Sequence, residues 1–203
     1  MAKIVLIGAS GNAGSRILKE LSDRGHQVTA IARAPEKIAE LPGVTAVAGD
    51  AQDEAALAPL LAGHDAVVSS VRFTGTDYSI IINALRKAGV ARYLVVGGAA
   101  SLEVAPGKRL LDQPEFPDAY KEEATNGAAT LDYLRSLDDI DWTFLSPSAM
   151  FIAGARTGNF RLGKDALLST EDGSSISFED YAIAMVDEIE APKHIRQRFT
   201  VGY

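Results

Sequence analysis

Two hydrophobic rhythms alternate along the chain. Short, largely apolar runs occur at Ile4–Ile7, Gln27–Ala32, Val44–Val47, Asp65–Ser69 and Arg92–Val96. Apolar residues that do not alternate with polar ones mark strands covered on both faces. Between these runs, apolar residues recur at helical spacing, as Ile17, Leu18 and Leu21 do within Asn12–Arg24. The same rhythm predicts a short helix near Glu36–Glu40, one from Asp53 through Leu61 and one over Asp77–Lys87. Gly25, Gly63 and Gly89 follow three of these helices, where a left-handed residue ends a helix well. Strands alternating with amphipathic helices specify an α/β fold, a doubly wound parallel sheet with helices on both faces. Right-handed crossovers and a reversal after the third strand give the order 3-2-1-4-5. The crevice at the reversal should be flanked by Gly8–Gly14 and by Ser69–Val71.

The second half is less regular. Ala100–Pro117, with three prolines, reads as a long loop over the C-terminal ends of the strands. A helix follows over Asp118–Leu137, with Ala124, Ala128, Leu131 and Leu134 on its buried face. Asp141–Leu145 is a sixth strand ending in Ser146-Pro147-Ser148. Short strands are expected at 160–162 and 166–168, a last helix from the Ser177 cap through Glu190, and a final strand at Arg198–Val201. No linker or repeat divides the chain, so residues 1–203 are read as one domain. Residues 147–203 are a small C-terminal elaboration that partly forms the substrate side.

Composition narrows the chemistry. Hydrophobic content of 47% permits a full core, and the net charge of −7 lacks the clustered basic surface that nucleic acid requires. With no cysteine there are no disulfides, thiolate nucleophiles or sulfur metal sites. His26, His64 and His194 show no ligand spacing, so no metal is expected. The first apolar run stops at Gly8, which reads as a core strand rather than a signal peptide. No stretch has the length of a membrane span. A cytoplasmic protein, monomer or homodimer, acting on a small molecule is the expectation.

The candidate chemistry begins at Gly8-Ala9-Ser10-Gly11-Asn12-Ala13-Gly14. A strand, a glycine turn and a helix N-terminus together make an anion site, because free N–H groups and the positive helix end point at it. Gly8 permits the sharp exit, Gly11 lets a pyrophosphate approach, and Gly14 lets helix and strand pack closely, as in a Rossmann-type dinucleotide site. The second strand carries no acid at its end to accept from a ribose hydroxyl. It carries Arg33, whose guanidinium suits the 2′-phosphate of NADP, so NADP(H) is favoured over NAD(H). Asp50, followed by Ala51, is placed for the adenine amino group, and Asp53 for a plain helix cap. Ser69, Ser70 and Val71 leave the fourth strand under the cofactor's middle, or form a simple exit loop. Gly97 and Gly98 would admit the nicotinamide ring, and Ser101 would hydrogen-bond a substrate carbonyl. The acceptor would lie over Ser70, Ser101 and Pro147. Tyr120 and Lys121 are the available acid and base, but a lysine one turn beyond Tyr120 is missing, since that position is Ala124.

These stretches, with Ser101-Leu-Glu-Val-Ala-Pro-Gly107 and Ser146-Pro147, resemble the atypical short-chain dehydrogenase/reductase superfamily. Within it the chain is similar to the NmrA-like, NAD(P)-binding group that carries the NADH-flavin reductase label, and distantly to biliverdin reductase B. The likeness covers essentially the whole chain. Ala100 stands where the group often has glycine. The resemblance implies a reductase that passes hydride from NAD(P)H to a flavin, quinone or similar flat acceptor. Such an acceptor can take its proton from water and depends on stacking and proximity. Met150, Phe151, Phe160 and Phe178 are candidates for an apolar lid or for core. NmrA-like proteins also include regulators, so a non-enzymatic NADP-binding redox sensor is the second reading, and an epimerase or dehydratase the third.

Overall fold

A computed structural model describes all 203 residues, Met1–Tyr203. Five parallel strands form first: β1 (Lys3–Ile7), β2 (Gln27–Ala32), β3 (Val44–Ala48), β4 (Ala66–Ser69) and β5 (Arg92–Val96). The helices between them are α1 (Asn12–Asp23), α2 (Glu54–Leu61) and α3 (Tyr78–Ala88). The stretch read as a helix near Glu36–Glu40 is a single 3₁₀ turn at Pro35–Lys37. A proline at its start and another at Pro42 leave too little chain for an α-helix.

The expected loop Ala100–Pro117 is more structured than its prolines suggest. It holds a hairpin, β6 (Glu103–Ala105) against β7 (Lys108–Arg109), turned by Gly107 at φ +72°, and a 3₁₀ turn at Leu110–Asp112. Then come α4 (Asp118–Arg135), β8 (Asp141–Pro147), β9 (Met150–Ile152), β10 (Arg161–Gly163), β11 (Ser175–Ser177), α5 (Phe178–Glu190) and β12 (Gln197–Gly202). Of the strand expected at 166–168 only an isolated bridge, Ala166 to Glu103, forms.

The main sheet has the order β10-β12-β8-β5-β4-β1-β2-β3, so the expected 3-2-1-4-5 stands inside a wider sheet. All neighbours are parallel except β10, which runs antiparallel to β12 at one edge. Helices α1 and α5 cover one face. Ile17, Leu18 and Leu21 of α1 meet Tyr181, Met185 and Val186 of α5 there. Helices α2, α3 and α4 cover the other, with Leu57, Ile81, Leu85, Leu131 and Leu134 over Val67, Tyr93 and Phe144. Each such aliphatic side chain contributes roughly 1.5–3 kcal/mol when taken fully from water. The caps follow sequence: Asp53 accepts from the Ala56 N–H, Asp77 from Ser79 and Ser177 from Asp180. The consequence for function is the switch point. Ile7 of β1 stands in register with Ile31 of β2 on one side and Ser69 of β4 on the other. Loops leaving these ends diverge and open a crevice.

Candidate active site

The turn after β1 is built around unused donors. Gly8 turns at φ +82° and its N–H donates to the Ile31 carbonyl at 2.8 Å, an acceptor that the Ala9 N–H shares at 3.2 Å. The Gly11 N–H returns to the Gly8 carbonyl at 3.1 Å, and Ser15 opens the helix ladder on Gly11 at 2.8 Å. The N–H groups of Ser10, Asn12, Ala13 and Gly14 have no protein acceptor. No side chain caps α1 and no acid lies in its first turn. The positive end of that helix is therefore left for a ligand to satisfy.

The three glycines differ in what they answer to. A side chain on Gly8 would collide with the Ser70 carbonyl, and one on Gly14 with the Gly8 carbonyl. Gly11 has no such constraint: its φ is −76°, and a Cβ would only press on the Gly8 carbonyl at 3.3 Å. Nothing in the protein demands glycine there. An open backbone beside four free N–H groups fits a pyrophosphate that must come close to the chain.

The opposite wall is β4 and its exit. Ser70 is bound to β1 through its N–H, 2.8 Å from the Ile7 carbonyl, and Val71 lies against the Gly8 turn. Ser69 stands differently from the sequence expectation. It is fully buried, and its hydroxyl lies 2.7 Å from that of Tyr93, whose ionisation burial pushes well up. The loop beyond is clamped: both oxygens of Glu123, on α4, accept from the N–H groups of Phe73 and Thr74 at 2.8 Å. The Phe73 ring packs on Gly127 of the same helix, where a Cβ would come within 3.0 Å of it. Sequence carried no signal for this clamp, since Glu123 looks like any solvated acid on an amphipathic helix.

At the far side of β2, Arg33 is exposed and forms neither an ion pair nor a hydrogen bond within the protein. Asp50 folds back to accept from the Gln52 N–H at 2.9 Å, which orders the turn holding the nearly buried Ala51. Asp53 is the helix cap expected of it.

The other end of the crevice lies past β5 and β8. A Cβ on Gly97 would run into the Phe144 ring, so packing explains that glycine, whereas Gly98 is open, with Phe73 nearest at 3.8 Å. Pro147 is buried at the end of β8, in register with Val201. The Ser101 hydroxyl accepts from Arg198 at 3.1 Å, and the same guanidinium is anchored on Asp165 at 2.9 Å. Arg198 thereby fixes the Ser101 oxygen and leaves its proton free to donate. Sequence gave no hint of this pairing across 97 residues. Tyr120 is 65% exposed at the start of α4. It shares a helical stripe with Glu123 and Gly127, at spacings of three and seven, and these two touch the crevice loop. Lys121 points elsewhere and pairs with Asp118 at 2.6 Å. Phe151, Phe160 and Phe178 pack on the core beside α5, with Phe151 and Phe178 4.5 Å apart edge to face, while Met150 is exposed.

Two grooves of about 550 and 640 Å³ lie elsewhere, one between α4 and the start of α3, the other at the N-terminal ends of β1 to β3. In open parallel sheets ligands bind at the C-terminal ends of strands, and the free N–H groups are there too.

A family described as NAD(P)H-binding matches residues 8–192. A Burkholderia pseudomallei structure provisionally named an exported protein is 48% identical, covers 100% of both chains and superposes with a TM-score of 0.90. One from Bacteroides thetaiotaomicron, provisionally an epimerase, is 44% identical over 100% of this chain and 97% of its own, TM-score 0.94. One from Streptococcus pneumoniae, provisionally an NADH-flavin reductase, is 35% identical over 100% and 99%, TM-score 0.86. No helix here is long and apolar enough to cross a membrane.

Proposed function

This chain belongs to the NAD(P)H-binding family, and we propose that it is an NADPH-favouring oxidoreductase that passes hydride to a flavin, quinone or similar flat acceptor. When bound, the dinucleotide supplies the hydride. The chain's own part is placement. The N–H groups of Ser10, Asn12, Ala13 and Gly14 and the α1 dipole would hold the pyrophosphate. Arg33, unpaired and with no carboxylate beside it, would grip a 2′-phosphate through two donors. Gly98 leaves room for a flat ring, and Ser101, fixed by Arg198, offers its hydroxyl to an acceptor carbonyl.

The observation that carries the choice of acceptor is the lack of a proton relay. Lys121 is drawn to Asp118, the position one turn beyond Tyr120 is Ala124, and Glu123 is occupied by two backbone N–H groups. A carbonyl reductase needs a general acid poised at the forming alkoxide, a task for which the Ser101 hydroxyl is too weak an acid, whereas a reduced flavin or quinone can take its proton from water. The relative named as an NADH-flavin reductase agrees with this reading. The relative named as an epimerase would call for a paired acid and base that these residues do not form. A cytoplasmic setting, where reduced dinucleotide is regenerated, goes with the proposal.

The same missing relay suits a sensor that binds NADP and reports redox state without turnover. The test is NADPH and NADH titration of wild type and Arg33→Ala, then NADPH oxidation with riboflavin, FMN and quinones. Turnover with a flat acceptor supports the reductase. Tighter binding of oxidised cofactor with no turnover across the panel supports the sensor.

A further inference from the structure

We propose that Arg72 is the recognition residue for an anionic tail on the acceptor, so that the acceptor class is a flat redox ring bearing a phosphate or carboxylate. This rests on the reductase reading and narrows it. The chain has 27 acidic and 20 basic residues, so cations here do not lack partners. Ten of its twelve arginines hold a carboxylate or carbonyl through the guanidinium, the buried Arg92 and Arg198 included. The two that hold nothing are Arg33 and Arg72. Both sit at the crevice, one past each strand that flanks β1: Arg33 two residues beyond Ile31, Arg72 three beyond Ser69.

Arg72 is also presented from a fixed backbone. Val71, before it, is lodged against the Gly8 turn. Phe73, after it, is buried, stacked 5.4 Å from Tyr78 and 6.0 Å from Phe144, and its N–H is held by Glu123 at 2.8 Å. Between two pinned neighbours Arg72 alone is exposed. An exposed arginine normally loses side-chain freedom on gripping a ligand, and a rigid anchor reduces what must still be ordered. The loop that carries Arg72 runs from the Gly8 turn, which Val71 touches, to Gly98, which the Phe73 ring faces, so it borders the place where the acceptor would lie, while Arg33 follows the strand on the other side of β1. A guanidinium there matches a phosphate or carboxylate with two donors, which a neutral quinone cannot use.

The test pairs acceptors that share a ring and differ in the tail: FMN against riboflavin, and a quinone carboxylate against its methyl ester. Binding is read by flavin fluorescence with NADP⁺ present, turnover by NADPH oxidation, and NADPH affinity by separate titration. Wild type should bind FMN about tenfold or more tighter than riboflavin, the scale of one charge-assisted contact. Arg72→Ala should collapse that ratio toward one, and Arg72→Lys should restore part of it. A larger collapse for the quinone carboxylate pair would assign the tail as carboxylate, a larger one for FMN as phosphate. Equal binding of FMN and riboflavin by wild type overturns the proposal. So does an Arg72→Ala variant whose main defect is NADPH affinity, which would give Arg72 to the cofactor's pyrophosphate. Absence of turnover with Arg72-dependent FMN binding would sink the reductase reading and leave this one standing.

Discussion

The carbonyl oxygen of Gly8 occupies the space that any side chain on Gly14 would need. Helix α1 can therefore approach β1 only because position 14 has no Cβ. Gly14→Ala must push the helix away from the strand, at a cost of about 1–3 kcal/mol, the usual range for overpacking. Gly11→Ala meets only the 3.3 Å contact and should cost less stability. Its penalty should instead appear in dinucleotide affinity, because the new methyl group stands beside the free N–H groups. Denaturant unfolding and NADPH titration of the two variants separate these effects.

Arg33→Ala should weaken NADPH binding by about tenfold or more, ~1.4 kcal/mol, since charge-assisted contacts to phosphate are of that size. NADH, which lacks the 2′-phosphate, should bind nearly as before. Parallel titrations with both cofactors give the ratio directly. A fall in both affinities by the same factor would mean that Arg33 acts on shared parts of the molecule.

Ser69 and Tyr93 close a buried hydroxyl pair at 2.7 Å. Ser69→Ala leaves the buried Tyr93 hydroxyl without a partner and should cost about 1–3 kcal/mol, whereas after Tyr93→Phe the Ser69 hydroxyl still has that of Tyr78 beside it and the cost should be smaller. The double variant should cost less than the sum, because the orphaned Tyr93 hydroxyl is gone. The cycle is measured by denaturant unfolding.

Much of the fold was legible in sequence, and the reasons are local. Five apolar runs and their glycine-closed helices specify a parallel sheet, because each element buries its own face against the next. The glycine turn was legible for the same reason: strand, turn and helix are contiguous. What sequence did not carry are contacts between distant segments. Ser69 looked like a crevice residue, yet its partner Tyr93 lies on the neighbouring strand. Glu123 and Arg198 act on residues some fifty and a hundred positions away. The hairpin at Glu103–Arg109 was masked by Pro106, which lies in its turn, and by Pro114 and Pro117 just beyond it.

Asp180 gives the acid limb of stability. It is fully buried at the start of α5 and accepts from the N–H groups of Thr157 and Gly158 at 2.7 and 2.8 Å and from the Tyr203 hydroxyl at 2.8 Å. Burial alone would raise its pKa, but these donors outweigh it and hold the carboxyl below its usual range. A depressed folded-state pKa means that the contribution is present above the unfolded value, about 4, and is lost as pH falls through the folded one. Unfolding midpoints should drop below about pH 4. Asp180→Asn should be less stable at neutral pH, and its midpoint should depend less on pH in that acid window.

Under the proposed function, hydride passes to a flat acceptor without a tyrosine–lysine relay. The most direct measurement is the rate of NADPH oxidation with free flavin by wild type and Tyr120→Phe. The prediction is steady oxidation by wild type that Tyr120→Phe keeps within about threefold, since general acid catalysis would contribute on the order of a hundredfold or more. Loss of the rate by that larger factor in Tyr120→Phe, or no oxidation by wild type, would contradict it.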